Sequence, residues 1–367
     1  MATATKGVEA AVERLEVSAY TVPTDSPESD GTLRWDSTTM VLVEASAGGQ
    51  RGLGYTYGDT SVARLISGKL AGVVEGRNAT SVTSAWSAMV DEVRNLGRPG
   101  ICSMAIAAVD AALWDLKAKL LDLPLFKLLD ASHDSVPVYG SGGFTSYSVE
   151  RLQEQLGGWV EQGIPRVKMK IGRHPEDDLG RVIAARRAIG PDAELFVDAN
   201  GAYSRKQALA QAEAFAELGV SWFEEPVSSD DLEGLRHLRD RAPAGMEIAA
   251  GEYGYDLYYF GRMLEAVDVL QADATRCAGI TGFLRAATLC QAQNMELSAH
   301  TAPSLHAHAC CAVIPLRHLE YFHDHARIEH MLFDGVLDPE GGVLTPDSSR
   351  PGLGLEFKRS DAERYAV

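Results

Sequence analysis

From about residue 135 onward the hydrophobic pattern of the chain repeats. Short apolar runs, "VPVYGSG", "RVKMK", "ELFVDAN", "SWFEEP", "EIAAGE", "DVLQAD", "ELSAH" and "RHLEYF", alternate with segments whose apolar residues recur at three-four spacing. Eight such runs, on the order of 20 to 30 residues apart with helical pattern between most of them, predict the parallel strands and crossover helices of a (β/α)8 barrel. A doubly wound open sheet alternates in the same way, but no Gly-rich dinucleotide or phosphate loop follows the first strands. Upstream the pattern is different. A strand over "LEVSAYTVP" and a second over "TTMVLVEA" flank a polar loop, "TDSPESDGTLRWDS". A further loop containing "GYTYGD" follows, and then helical segments, the clearest being "SMAIAAVDAALWDLKAKLLDLPLFKLL". This is an α+β unit of about a hundred residues.

Composition narrows the class. With 367 residues and 46% hydrophobic content the chain can bury a large core. A formal net charge of -17 disfavours nucleic acid and anionic membrane as partners and requires a locally positive site for any anionic small molecule. The opening "MATATKGVEAAVERLEV" lacks the basic end and apolar run of an export signal, and no apolar stretch is long enough to span a bilayer, so a cytoplasmic location is expected. The five cysteines, Cys102, Cys277, Cys290, Cys310 and Cys311, have no metal-knuckle spacing and are expected as reduced core thiols. The "NAT" at Asn78 matches a glycosylation acceptor by chance in such a chain.

In a closed parallel barrel the C-terminal ends of all strands open on one face. Those ends carry Lys168 and Lys170, then Asp198, Glu224, Glu252, Asp273, His300 and Glu320. Singly, each has an ordinary explanation as a solvated strand end or a helix N-cap. An ionisable residue at seven consecutive strand ends does not. Asp198, Glu224 and Glu252 lie on successive strands, and three buried anions need a cation; oxygen ligands without sulfur or imidazole suit Mg2+. Glu225 is expected on the opposite side of its extended segment, as a helix cap or outer-layer acid. Lys168 and Lys170 share one direction because the strand period is two, with Met169 turned to the barrel wall. Crowding of the two ammonium groups, burial and a metal ion should lower Lys170 toward the range of a base, leaving Lys168 to tune it and to meet an anionic substrate. Asp273 beside His300 would fix the imidazole tautomer. His306 and His308 on one helix point to different sides and are assigned surface or packing roles. His318, His323, His325 and His330 are read as mostly structural, with His323 the one that could border a pocket.

These strand ends carry a resemblance. "VKMKIG", "VDANGAY", "WFEEP", "AAGE", "QADATRCAGITGFL" and "SAHTA" together resemble the enolase superfamily, specifically its mandelate racemase group. The resemblance implies a modified TIM (β/α)8-type barrel with an N-terminal α+β capping domain, completed by a C-terminal segment, "GGVLTPDSSRPGLGLEF", that returns to the cap. The corresponding divisions are residues 1–130 for the cap, 131–335 for the barrel and 336–367 for the returning segment. It further implies one Mg2+ per active site held by Asp198, Glu224 and Glu252, with Lys170 and His300 as acid/base groups on opposite faces of the substrate. Asp273 would orient His300, Lys168 would assist Lys170, and Glu320 would take the position of an acid hydrogen-bonded to the substrate carboxylate or the intermediate. Superfamily sites of this kind remove a proton α to a carboxylate and stabilise the ene-diolate on Mg2+. Asp273 in place of a lysine argues against the muconate-lactonizing branch, and Glu252 in place of an asparagine against the glucarate-dehydratase pattern.

The expected reaction is dehydration of a sugar acid to a 2-keto-3-deoxy acid, because the two cap loops are rich in hydroxyls and acids that suit a polyol. Racemisation, epimerisation or cycloisomerisation of a hydroxy acid are the alternatives within the enzyme class, and a non-catalytic barrel that only binds is the alternative outside it. The expected partner is a small-molecule carboxylate, with neither nucleic acid nor membrane, and the resemblance suggests a homo-oligomer.

Overall fold

A computed structural model describes residues 10–367; the first nine residues of the stretch read for an export signal lie outside it. The eight strands expected from the repeating pattern all form. They are β4 (Val136–Gly142), β5 (Arg166–Lys170), β6 (Glu194–Asp198), β7 (Val220–Glu224), β8 (Glu247–Ala250), β9 (Val269–Ala272), β10 (Leu297–Ala299) and β11 (Leu316–Phe322). Each pairs in parallel with the next, and β11 pairs with β4 from Leu319↔Val138 to Phe322↔Ser141, which closes the sheet. The chain is therefore a barrel and not an open sheet. Alternation along each strand sorts its side chains: Val167 and Met169 enter the apolar layer between strands and helices, whereas Lys168 and Lys170 face inward. Inside the barrel Tyr139, Phe196 and Trp222 form an aromatic floor, with His318 against all three rings. His318 and the helical pair His306 and His308 are buried, so packing, not surface exposure, is the role these histidines take.

The N-terminal sheet comprises β1 (Arg14–Ser29), β2 (Arg34–Ala47) and β3 (Gln50–Tyr57), all antiparallel. The segment expected as the polar loop 24–37 is instead mostly strand. β1 and β2 continue as a long hairpin with a bulge between Pro23 and Glu28, and only residues 30–33 turn. The arm is polar because it is held to the barrel rim largely by hydrogen bonds, from Arg173 and Thr145, with Trp35 on Phe144 as an apolar contact. "GYTYGD" is likewise the end of β3, with only Gly58 and Asp59 beyond the strand. The cap helices, chiefly Val82–Glu92 and Ile101–Leu120, cover one sheet face and build a second core around Val41, Val43, Ile106 and Val109.

The C-terminal segment first adds Val343–Leu344 antiparallel to β4 at the barrel's lower end. It then reaches the cap, where Phe357 packs on Tyr20 with ring centroids 5.3 Å apart and Val367 N–H donates to Ala19 O at 3.1 Å. All five cysteines are buried free thiols. Asn78 caps a local turn through Thr80 N–H at 2.9 Å. No helix among the described residues is long and apolar enough to cross a membrane.

Candidate active site

The strand ends converge as their order requires. Lys170, Asp198 and Glu224 are the last residues of β5, β6 and β7; Asp273 and His300 follow β9 and β10 directly; Glu252 lies two residues past β8; and Glu320 lies within β11. All are buried. Asp198, Glu224 and Glu252 each offer an oxygen, and the three atoms lie within 4.8 Å of one another.

The two lysines offset part of the charge in this cluster. Lys170 Nζ donates to Asp198, and Lys168 Nζ donates to Glu224 while lying 2.9 Å from Glu320 Oε1 and 3.6 Å from Asp198 Oδ2. Trp222 Nε1 holds the other oxygen of Glu224 at 3.0 Å, so the aromatic floor also sets this carboxylate. Burial by itself lowers both lysines, but Glu224, Glu320 and Asp198 outweigh it for Lys168, and Asp198 does so for Lys170. Both are raised, not lowered. The expected lowering rests on the second ammonium, burial and a bound metal ion together; the charge of the carboxylates outweighs the first two. Lys168 is also fully covered, 5.3 Å from the Tyr139 ring centroid, and is not among the residues lining the cavity.

The acids nevertheless fit a hard divalent cation. Burial first, and then Asp198, pushes Glu224 well above the ordinary carboxylate range, the sign of an anion cluster short of positive charge. Glu252 Oε2 is buried with no hydrogen-bond partner. An all-oxygen set of this kind suits Mg2+. Glu225 is buried beside the cluster, its carboxyl not among the three that converge. Its φ of +37° places it in the left-handed region and breaks strand alternation, and its Oε1 is buried and unpartnered. Burial, then Glu252 and Asp198, raises this carboxyl well above its usual range. It caps no helix, since Asp231 caps the next one through Gly234 N–H at 3.0 Å.

Across the mouth, His300 Nδ1 donates to Asp273 Oδ2 at 2.8 Å, leaving Nε2 3.3 Å from Glu252 Oε2 and 3.6 Å from Glu320 Oε2. Asp273 Oδ1 accepts from Thr275 N–H and Oγ1, both at 2.7 Å. Burial would raise Asp273, but the hydrogen bond and charge of His300 hold it well below the carboxylate range. His306 fixes the same turn: its Nε2 accepts from Ala274 N–H at 2.8 Å and its Nδ1 donates to Ala302 O at 3.2 Å. Burial raises Glu320 too, and Lys168, His300 and Lys170 reverse that, so it is ionised and bonded to Ser141 Oγ at 2.6 Å.

A cavity of about 300 Å3 opens above these groups, lined from the barrel by Lys170, Asn200, Glu252, Arg276, His300 and Glu320. The cap closes it with Asp30, Leu33, Trp35, Ser37, Thr38 and Tyr57. His323 lies outside it, paired with Asp25 at 3.1 Å. His325 lines it instead, stacked on Tyr57 at 3.5 Å between centroids. Sequence reasoning missed His325, Arg276 and Asn200. The last two stand inside the motifs "QADATRCAGITGFL" and "VDANGAY", two or three residues past the strand-end acid, where a residue still faces the mouth.

Family comparison agrees with this geometry. The N-terminal domain model of mandelate racemase and muconate lactonizing enzyme matches residues 16–130, and the enolase C-terminal domain-like model matches residues 151–362. The chain belongs to the mandelate racemase and muconate lactonizing enzyme family of the enolase superfamily. A crystal structure of a mandelate racemase/muconate lactonizing enzyme-like protein from Rubrobacter xylanophilus is 65% identical and superposes with a TM-score of 0.96 over 97% of this chain and 100% of that one. The 3,6-anhydro-alpha-L-galactonate cycloisomerase of Streptomyces coelicolor is 32% identical over 95% of this chain and 98% of its own length. The L-talarate/galactarate dehydratase of Salmonella typhimurium, solved with Mg and L-lyxarohydroxamate, is 27% identical with a TM-score of 0.90 over 100% of this chain and 95% of that one.

Proposed function

We propose that this protein is a Mg2+-dependent carbon-oxygen lyase that dehydrates a sugar acid to a 2-keto-3-deoxy acid. One observation carries the reading: two proton-transfer groups, Lys170 and His300, line one cavity on either side of three clustered carboxylates. Asp198, Glu224 and Glu252 would hold the ion. When bound, Mg2+ supplies the positive charge that makes a weakly acidic proton α to a carboxylate removable, by stabilising the enediolate that develops.

The chain's own residues do the rest. Asp273 keeps the proton of His300 on Nδ1, so Nε2 presents a lone pair to the cavity and can take a proton. Lys170 faces the other side and can deliver a proton to a departing β-hydroxyl, which leaves as water. The enol that remains tautomerises to the 2-keto acid. Glu320, ionised against Lys168, accepts from a substrate hydroxyl or from a protonated oxygen of the intermediate. Cap residues exclude water from above. The racemase, epimerase or cycloisomerase alternative shares the first step and is favoured by the likeness to the Streptomyces cycloisomerase; the two routes diverge only after proton removal.

In D2O with Mg2+, a library of sugar acids should show exchange of the α-proton by NMR, accompanied by 2-keto acid. Exchange without keto acid would move the assignment to the isomerase alternative, and binding without exchange to a non-catalytic barrel. Lys170→Ala and His300→Ala should each alter the stereochemical course of exchange. We further propose a cytoplasmic homo-oligomer, which the reduced thiols and the family membership support.

A further inference from the structure

We infer that the substrate is an aldonate, a monoacid whose far end is a neutral hydroxyl read by Asp30, and not an aldarate with a second carboxylate. This rests on the acid-sugar reading above. The cationic side chains lining the cavity are both on the barrel rim. Lys170 is on Asp198, and Arg276 has Nη1 3.3 Å from Glu252 Oε1 with its guanidinium 5.0 Å from the Tyr253 ring centroid. Positive charge is thus concentrated where the reacting carboxylate and the metal belong. The cap wall, Asp30, Leu33, Trp35, Ser37, Thr38 and Tyr57, contributes none. Arg173, whose guanidinium is engaged by the backbone carbonyls of Asp30 and Leu33, does not line the cavity.

What the far end offers instead is acceptors at Asp30 and Asn200, with the unpartnered Tyr57 hydroxyl as a neutral donor and no cation. Asp30 is only 7% exposed; its Oδ1 accepts from Thr32 N–H and Leu33 N–H, each at 2.6 Å, and its Oδ2 has no protein partner among the described residues. Across from it Asn200 Oδ1 is buried without a partner. Thr38 cannot supply a donor to an anion, because its hydroxyl is already given to Asp324. A hydroxyl donates to such acceptors, whereas a carboxylate can only accept and would stand beside the Asp30 anion with no neutralising group. Polar groups left unmatched in a buried site penalise the wrong ligand strongly.

The test uses the Mg2+-loaded enzyme and pairs that share configuration at C2 to C5: gluconate with glucarate, galactonate with galactarate, and their L-series counterparts. Rates of α-proton exchange should give a kcat/KM for the best aldonate at least ~100-fold above its aldarate. Asp30→Asn should shrink that ratio at least ~10-fold, chiefly by improving the aldarate. Asn200→Ala is a second variant and should lower the aldonate value without helping the aldarate. An aldarate as the better member of the pair, or a ratio untouched by Asp30→Asn in folded protein, overturns the inference. If no pair exchanges, the lyase reading fails, and calorimetric binding of the same pairs decides the inference on its own: tighter aldonate supports it, equal or tighter aldarate ends it.

Discussion

Asp273 shows how one carboxylate can set the state of a whole site. It spends one oxygen on Thr275 and the other on His300, and that second bond determines which imidazole nitrogen faces the cavity. Asp273→Asn preserves the shape but can donate an amide N–H to Nδ1, moving the imidazole proton to Nε2 and removing its basicity. His300-dependent α-proton exchange should fall by roughly 100-fold or more, the usual contribution of a placed base, while exchange mediated by Lys170 persists when followed by NMR in D2O. A second acid reports on pH. Burial, reinforced by Asp324, raises Glu28 from 4.5 to about 8, and its Oε2 accepts from Trp35 Nε1 at 2.8 Å. Because the folded-state value lies above the unfolded one, the folded protein binds more protons over the interval between them. Its stabilising contribution is complete below about 4.5 and is lost as pH rises through about 8. Glu28→Gln mimics the protonated acid and keeps the bond to Trp35. Melting curves of the two proteins should coincide at low pH and separate as pH climbs, with the variant the more stable by up to a few kcal/mol, at ~1.4 kcal/mol per pKa unit. A variant that melts lower at high pH would show that Glu28 is ionised in the native protein.

At the level of elements, the hairpin arm from residue 24 to residue 37 closes the cavity. Its tip fits the barrel through Gly31, where a Cβ would stand 2.3 Å from Ala199 O and 2.8 Å from Ile171 O. Thr145 Oγ1 donates to Asp30 O at 2.9 Å on the same arm and lies 2.7 Å from Ser29 Oγ. Gly31→Ala should push the tip outward and displace Asp30, raising KM about 10-fold with a smaller change in melting temperature; steady-state kinetics with an active sugar acid would check it. The eight barrel strands were legible because each is an apolar run between turn signals, and the ligand acids because register alone places strand ends together. The hairpin was not legible, since "TDSPESDGTLRWDS" holds little apolar periodicity and its order comes from Arg173, Thr145 and Arg151 on distant elements. Glu225 escaped for a related reason: a left-handed φ is invisible to any argument from alternation. Arg276, on a turn, and His325, in the first turn of the helix His323–Leu332, reach the cavity from just beyond strand ends in directions that only tertiary packing fixes.

For the molecule as a whole, the metal bears on the barrel's stability and the chain return on how the cap is tied to the barrel. Mg2+ that binds only the folded acid cluster should stabilise the protein by ~2.7 kcal/mol at a hundredfold excess over Kd, and Glu252→Gln should abolish that gain in calorimetric melts. The tie between cap and barrel runs through the helix Ile101–Leu120, whose polar residues are not a solvated face. Asp110 turns toward the barrel, accepting from Thr281 N–H at 2.9 Å and Thr281 Oγ1 at 2.7 Å. Asp115, five residues later, turns toward the cap and the C-terminal segment at once. Its Oδ2 accepts from Leu53 N–H in β3 and its Oδ1 from Leu353 N–H, each at 2.6 Å, with Lys119 Nζ at 2.7 Å. The group is fully buried, so its two backbone partners have no water to turn to. Asp115→Ala leaves both N–H groups and the Lys119 charge uncompensated, and removing one member of a buried ionic network costs ~3–5 kcal/mol. Denaturant melts should show that loss, and limited proteolysis should cut near residues 345–355 before the barrel opens. Asp115 touches no cavity residue, so kcat per folded molecule should stay unchanged; a fall in kcat that tracks release of the segment would mean that the C-terminal return holds the cap in its closed position over the site.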